Sequence, residues 1–326
     1  MSDFKWGILG SGGIANDFAR DLRFLTGHAV AAVGSRSLDS AEKFAAQYPG
    51  CTPYGSYEEL VRADVDAIYV ATPHTFHAEN SILALRAGKP VLCEKPFTIN
   101  AAEAKAVIDC AHEMNLPLLE AIWTRFLPHI HKVREIIASG ALGTIRTVTA
   151  DHGQFLPYSR APRLWEPSLG GGALLDLGIY PITLAHIVFG KPESFIASAT
   201  LTDLGVDLQS SMVLTYRDGA QSILTSTMAN KTRMSATIAG DKARIELDGI
   251  FYKPTSMRVV TLAGEVTEYP NTYEGHGLRE EAVEFARMVR AGENESPLMP
   301  HSTTLEIMEF MDAVRSEIRV RYPSEK

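Results

Sequence analysis

The chain has 326 residues, 45% of them hydrophobic and 21% charged, with a formal net charge of −8 and a pI near 5.7. A length beyond what one hydrophobic core usually serves predicts two domains. The acidic balance argues against nucleic acid or an anionic membrane as partner, because both need clustered Lys and Arg.

The first residues, MSDFKWGILGSGG, leave no space for a basic region followed by a long apolar stretch before a buried strand begins near Lys5. No window approaches the roughly 18 uninterrupted apolar residues of a membrane span. Cys51, Cys93 and Cys110 are widely spaced and form no CxxC pair, so neither a disulfide framework nor a zinc site is expected. The expectation is a cytoplasmic protein with reduced thiols and no metal.

Short apolar runs alternate with amphipathic stretches along the first third of the chain. Strands are predicted at 6–9, 30–33, 67–70, 90–93 and 116–120, with helices at 14–25, 41–48, 79–87 and 101–114. Ser56 and Glu59 have capping-box spacing. Alternation of this kind is the signature of a parallel sheet, and about six strands suit a doubly wound one. After Ile122 the texture changes. A helix at 129–138 precedes strand-like segments at 144–151, 194–202, 210–216, 221–228, 234–239, 243–247 and 257–262. Turns as short as Arg217-Asp218-Gly219 and Gly240-Asp241-Lys242 leave no length for helical crossovers, so this sheet should be mostly antiparallel. Helices at 278–290 and 304–318 close the chain. The predicted organisation is an α/β nucleotide-binding domain over 1–122 and an α+β domain with a large open sheet over 123–326.

The turn Gly10-Ser11-Gly12-Gly13-Ile14-Ala15 follows the first strand and opens the first helix. Small residues there let the backbone approach a pyrophosphate at a helix N-terminus, where unpaired N–H groups and the helix dipole favour anions. Gly10, Gly12, Gly13 and Ile14 are therefore expected to hold a dinucleotide. The second strand runs into Gly34-Ser35-Arg36 with no acid at its end. An acid there would bind ribose hydroxyls, whereas Ser35 and Arg36 suit a 2′-phosphate, so NADP is favoured over NAD. The competing reading makes Arg36 a solvated residue and gives the ribose to Asp39. A second cluster lies where the fourth and fifth strands end, the place where open α/β sheets bind ligands. It comprises Thr72, Pro73, His74 and His77, then Glu94, Lys95 and Pro96. Lys95 would stand near the nicotinamide and the reacting carbon.

GSGGIA, ATPHTFH, CEKPF and the later GGGALLDLGIYP (170–181) together resemble the glucose-fructose oxidoreductase, inositol dehydrogenase and MocA family. The 120–126 run EAIWTRF and Tyr180 resemble the branch of dimeric dihydrodiol dehydrogenases and NADP-dependent D-xylose dehydrogenases. The resemblance implies a Rossmann domain, a second domain whose open sheet often forms a homodimer interface, and Lys95, Asp176 and Tyr180 around the reacting carbon. Inositol dehydrogenases carry His where this chain has Tyr180, which argues against inositol. Oxidising a hydroxyl needs a base, and tyrosine, with a reference pKa of about 10, needs help from a cation such as Lys95. Tyr180 is assigned as proton acceptor, Lys95 as its electrostatic partner and Asp176 as an orienting acceptor, with Lys95 as direct base the rival assignment. Trp123, Arg125, Arg163 and Trp165 are further substrate-contact candidates. The implied reaction is NADP-linked oxidation of an aldose, such as D-xylose at C1, or of a trans-dihydrodiol. A sugar–sugar oxidoreductase with tightly held NADP and a non-catalytic NADP sensor remain alternatives.

Overall fold

The computed structural model describes residues 3–325. It divides into two compact units, one formed by Met1–Phe126 with Gly275–Met308 and the other by Leu127–Glu274 with Glu309–Lys326. The chain thus returns to its first unit late, at a segment that a division in chain order would give to the second.

The first unit holds a six-stranded parallel sheet. Its strands are β1 (Phe4–Leu9), β2 (His28–Gly34), β3 (Thr52–Tyr54), β4 (Ala67–Val70), β5 (Val91–Glu94) and β6 (Leu118–Ala121), ordered β3-β2-β1-β4-β5-β6. That order reverses between β1 and β4, and the crevice beyond their carboxyl ends is where such sheets take ligands. Every position of β4, β5 and β6 is buried, which explains why they read as continuous apolar runs rather than alternating ones. Helices α1 (Gly13–Asp21), α2 (Leu38–Ala45), α3 (Tyr57–Leu60), α4 (His77–Arg86) and α5 (Ala101–Met114) make the connections. In the core Phe18 of α1 stacks on Tyr69 of β4 at 3.8 Å and meets the edge of Trp6 at 5.2 Å. Removing such a ring costs about 3–5 kcal/mol.

The second unit begins with α6 (Pro128–Ala138) and holds an eight-stranded sheet. Its strands are β7 (Ile145–Gly153), β8 (Ser194–Leu201), β9 (Asp207–Thr215), β10 (Gln221–Thr227), β11 (Ala236–Gly240), β12 (Ala243–Leu247), β13 (Met257–Thr261) and β14 (Val266–Tyr269). The order is β14-β13-β12-β11-β7-β10-β9-β8. All pairings are antiparallel except β7 with β10, whose strands are linked through helix α7 (Ile179–Phe189) and the β8–β9 hairpin. α7 packs on β7 and β10, whose inward residues Val148, Ala150 and His152 lie beside Ser222, Leu224 and Ser226. The opposite face carries the cross-strand row Ile196, Val213 and Ile223, with Ile196 70% and Ile223 44% exposed. By length and composition Pro167–Phe189 could cross a membrane, but 72% of its most apolar window is buried, as the core of this unit. Helices α8 (Arg279–Ala291) and α9 (His301–Glu317) complete the chain.

Candidate active site

In the first unit Gly12 is the N-cap of α1 and no side chain caps the helix. An added Cβ at Gly12 or Gly13 would meet nothing within 4 Å. The turn is thus open on its Cβ side, and the first N–H groups of a helix with no side-chain cap suit an anion such as a pyrophosphate. Gly10 serves a different end: its φ is +110°, and a Cβ there would lie 2.7 Å from the carbonyl oxygen of Ala71, so it lets β1 and β4 close on each other.

At the end of β2, Ser35 is buried and accepts from Ser11 Oγ at 3.3 Å, while Arg36 is exposed with its guanidinium 6.0 Å from the Phe76 ring centre. Asp39, the rival ribose ligand, stands in the first turn of α2 and pairs with Lys43 at 2.7 Å. Among the described residues the strand end thus offers a hydroxyl and a guanidinium, not a carboxylate, and it suits a phosphorylated ribose.

His77 joins the two loops of the second cluster. Its Nε2 stands 2.8 Å from Thr72 O and its Nδ1 2.9 Å from Pro96 O, in a site 1% exposed. Thr72 Oγ1 accepts in turn from Asn80 at 3.2 Å. Glu94 is buried and accepts from the Tyr69 hydroxyl and, at 3.1 Å, from the Lys95 N–H. Burial and then the charge of Glu94 hold the Tyr69 hydroxyl well above its ordinary range, so it stays a donor. Burial likewise raises Glu120 to about 7 and Glu281 well above the carboxylate range. Lys95 is half-buried and its bond to Pro96 is cis. Trp123 is buried and stacked on His276 at 5.1 Å, and Arg125 is buried and donates to Leu298 O at 2.8 Å.

In the second unit Asp176 and Tyr180 do not share one regular helix. Leu174–Gly178 forms a π-helical turn that runs into α7. Pro181, third in α7, lacks the N–H that would have bonded Leu177 O four residues back. The Ile179 N–H and His152 serve that carbonyl instead: His152 Nδ1–H donates to Leu177 O at 3.1 Å, and its Nε2 accepts from Gln154 at 2.9 Å. Those partners fix one neutral tautomer. Tyr180 is buried and stacks on Tyr252 at 4.3 Å, and His152 lies 4.2 Å from Tyr252. Asp176 accepts from Arg163 at 3.2 Å, so the structure brings these two sequence candidates together. Trp165 donates to Leu156 O at 2.8 Å and packs on a cluster of Leu164, Ala173, Leu177 and Met228.

Sequence reasoning missed His152, Gln154 and Tyr252. Their only local signal was the unexplained proline after a GxY run, which leaves a carbonyl in need of a donor from elsewhere.

A 3-2-1-4-5-6 sheet with an open glycine turn at its first helix defines a dinucleotide-binding enzyme fold, joined here to a large open-sheet unit. Residues 4–121 match the oxidoreductase family with NAD-binding Rossmann fold, and residues 130–246 match the GFO/IDH/MocA C-terminal domain. The chain belongs to the GFO/IDH/MocA family of oxidoreductases. It is 36% identical over 332 residues to a trans-1,2-dihydrobenzene-1,2-diol dehydrogenase of Xenopus laevis, covering 98% of this chain and 99% of the relative. It is also 36% identical over 366 residues to a D-xylose 1-dehydrogenase (NADP(+)) of Hypocrea jecorina, covering 98% and 93%. Among solved structures, a 3-ketoreductase from Actinomadura kijaniata in complex with NADP and TDP-benzene superposes with a TM-score of 0.86 at 28% identity, covering 97% and 98%.

Proposed function

We propose that this oxidoreductase uses NADP to oxidise a ring or chain hydroxyl of an aldose, such as D-xylose at C1, or of a trans-dihydrodiol, or to run the reverse reduction. The observation that carries the cofactor half is the uncapped start of α1 with open space over Gly12 and Gly13, next to a strand end bearing Ser35 and Arg36. Relatives named for these substrates, alike over nearly their whole length, support the substrate half.

Gly12, Gly13 and Ile14 would hold the pyrophosphate, Ser35 and Arg36 the 2′-phosphate, and Thr72, Pro73, His77, Glu94 and Lys95 the nicotinamide end. Bound NADP supplies the acceptor for the electron pair that leaves the substrate carbon. Tyr180 Oη, as the phenolate that the Lys95 ammonium favours by charge, takes the hydroxyl proton and becomes the neutral phenol. Asp176, oriented by Arg163, accepts hydrogen bonds from neighbouring substrate hydroxyls. Trp123, Arg125 and Trp165 support the substrate region through their packing and carbonyl contacts. The row Ile196, Val213 and Ile223 on the uncovered sheet face is the proposed homodimer surface, and the proposed compartment is the cytoplasm.

The test is a panel of aldoses, polyols and dihydrodiols with NADP and with NAD, read by reduced-nicotinamide absorbance. Tyr180→Phe should lower turnover by about two to four orders of magnitude and leave NADP binding intact. Turnover near wild type in that variant would move the base to Lys95. No turnover of any panel member would defeat the substrate assignment.

A further inference from the structure

A cavity of about 280 Å³ in the second unit is lined by Gln154, Phe155, Arg160, Lys231, Met234, Ile250, Tyr252 and Lys253. Three of these eight side chains are cations and none is a carboxylate, in a chain whose net charge is −8. Arg160 and Lys231 are exposed, Lys253 is half-buried, and Met234 and Tyr252 form a buried apolar wall. Cation-lined clefts raise the local concentration of anionic ligands, and here the exposed Arg160 and Lys231 supply that charge.

The cavity adjoins the residues that hold Tyr180. Its wall residue Tyr252 stacks on the Tyr180 ring at 4.3 Å, and its wall residue Gln154 donates to His152, the ring that supports the turn before Tyr180. The volume falls just under the 300–1,000 Å³ usual for whole small-molecule sites, so it suits one end of a ligand. A phosphate ester carries about −1.5 to −2 charges near neutrality and three acceptor oxygens, which matches three cations better than a single carboxylate does.

We propose that this cavity is the phosphate subsite of an anionic substrate, so that the preferred substrate is a phosphorylated sugar rather than the free aldose. The proposal rests on the oxidoreductase reading above and replaces its free aldose or dihydrodiol with the phosphate ester of an aldose. Because two of the cations are exposed, binding should weaken as salt is raised.

The test compares an aldose, its phosphate ester and the corresponding uronic acid with the wild-type protein and with the double variant Arg160→Gln/Lys231→Gln, whose changes sit at exposed positions. The wild type should show kcat/KM at least about tenfold higher for the phosphate ester than for the free sugar. The double variant should lose about tenfold or more of that value, the usual worth of a charge-assisted hydrogen bond, and leave the free sugar unchanged. Equal kcat/KM for ester and free sugar in the wild type, or an equal fall for both in the variant, would overturn the proposal. A preference for the uronic acid over the ester would overturn its assignment to phosphate. Calorimetric titration of the sugar phosphate into both proteins decides the matter without turnover. Tighter binding to the wild type supports the subsite even if no sugar is oxidised, and equal binding refutes it even if free aldose is a good substrate.

Discussion

Gly10 and Gly12 belong to one turn but should fail in opposite ways when a methyl group is added. Gly12 has φ −77°, which alanine adopts without strain, and its added Cβ meets nothing within 4 Å. Replacing it by alanine should therefore leave the apo protein unchanged or stabilise it by about 0.4–1 kcal/mol, through the lower entropy of the unfolded chain. The same methyl group occupies the space through which a pyrophosphate reaches the first N–H groups of α1. One charge-assisted hydrogen bond lost there is worth about 1.5–3 kcal/mol, or roughly 10- to 150-fold in the dissociation constant. Gly10→Ala reverses the balance. Its φ of +110° costs a non-glycine residue about 1–3 kcal/mol, and its Cβ would stand 2.7 Å from Ala71 O and 3.1 Å from Ala71 C, both backbone atoms that cannot turn aside. That variant should melt several degrees lower before any cofactor is added. The assay is a thermal melt of each apo variant beside a calorimetric titration with NADP. A Gly12→Ala protein that binds NADP within twofold of wild type would refute the placement of the pyrophosphate at this turn.

Asp207 accepts from Leu174 N–H at 2.7 Å where the π-helical turn begins, and burial pushes its carboxyl up to about 7. A folded-state value above the ordinary one means that stability is greatest at low pH and falls as pH rises from about 4 through about 7, by up to about 3–4 kcal/mol. Asp207→Asn keeps an acceptor for Leu174 and removes the titration. Its urea midpoint should gain on wild type between pH 5 and pH 8, and parallel curves would contradict the assignment. His152→Phe keeps an aromatic ring against Tyr252 but takes away the side-chain donor of Leu177 O, leaving it the Ile179 N–H. It should cost about 1–3 kcal/mol and lower kcat about tenfold with KM for NADP unchanged; an equal loss in NADP affinity would point to general unfolding instead. Ile223→Lys places a charge in the exposed row of the open sheet, and in sedimentation the dimer proposed for the wild type should give way to a monomer. The same sedimentation coefficient for both would remove that face as the interface.

Legibility in the sequence followed the range of the interaction that decides each feature. The parallel sheet was readable because its central strands are buried on both faces and so appear as unbroken apolar runs, and because Ser56 caps α3 through the N–H of Glu59 as the spacing predicted. The glycine turn was readable because a turn, a strand end and a helix start are all local. β14 escaped notice because three of its four residues are exposed and give no alternation to detect. The parallel pairing of β7 with β10 escaped as well, since a short turn fixes only the pairing of the strands it joins. Gly275–Met308 illustrates the same limit. Asp21, at the end of α1, accepts from the backbone N–H groups of His276, Gly277 and Leu278, a contact some 255 residues apart that ties this segment to the first unit.

The four-residue spacing of Asp176 and Tyr180 shows why a motif can be recognised before its geometry is known. In a regular helix that spacing puts both side chains on one face. A π-helical turn with i to i+5 bonding breaks that rule, and such turns often mark functional sites. Its form here depends on groups remote in sequence. Asp207 holds the Leu174 N–H, His152 holds Leu177 O, and Tyr322 donates to Gly171 O at 2.7 Å. Gly178 leaves only 3.1 Å between a would-be Cβ and Ser226 Oγ, so any side chain there would have to push the Ser226 or Leu174 side chain aside by a few tenths of an ångström. Pro181 supplies the irregularity, and the carbonyl it cannot pair is the one His152 takes. The positions of Asp176 and Tyr180 are therefore set by residues 152, 207, 226 and 322 as much as by their own segment. Substitutions at those four sites should disturb catalysis without touching the motif.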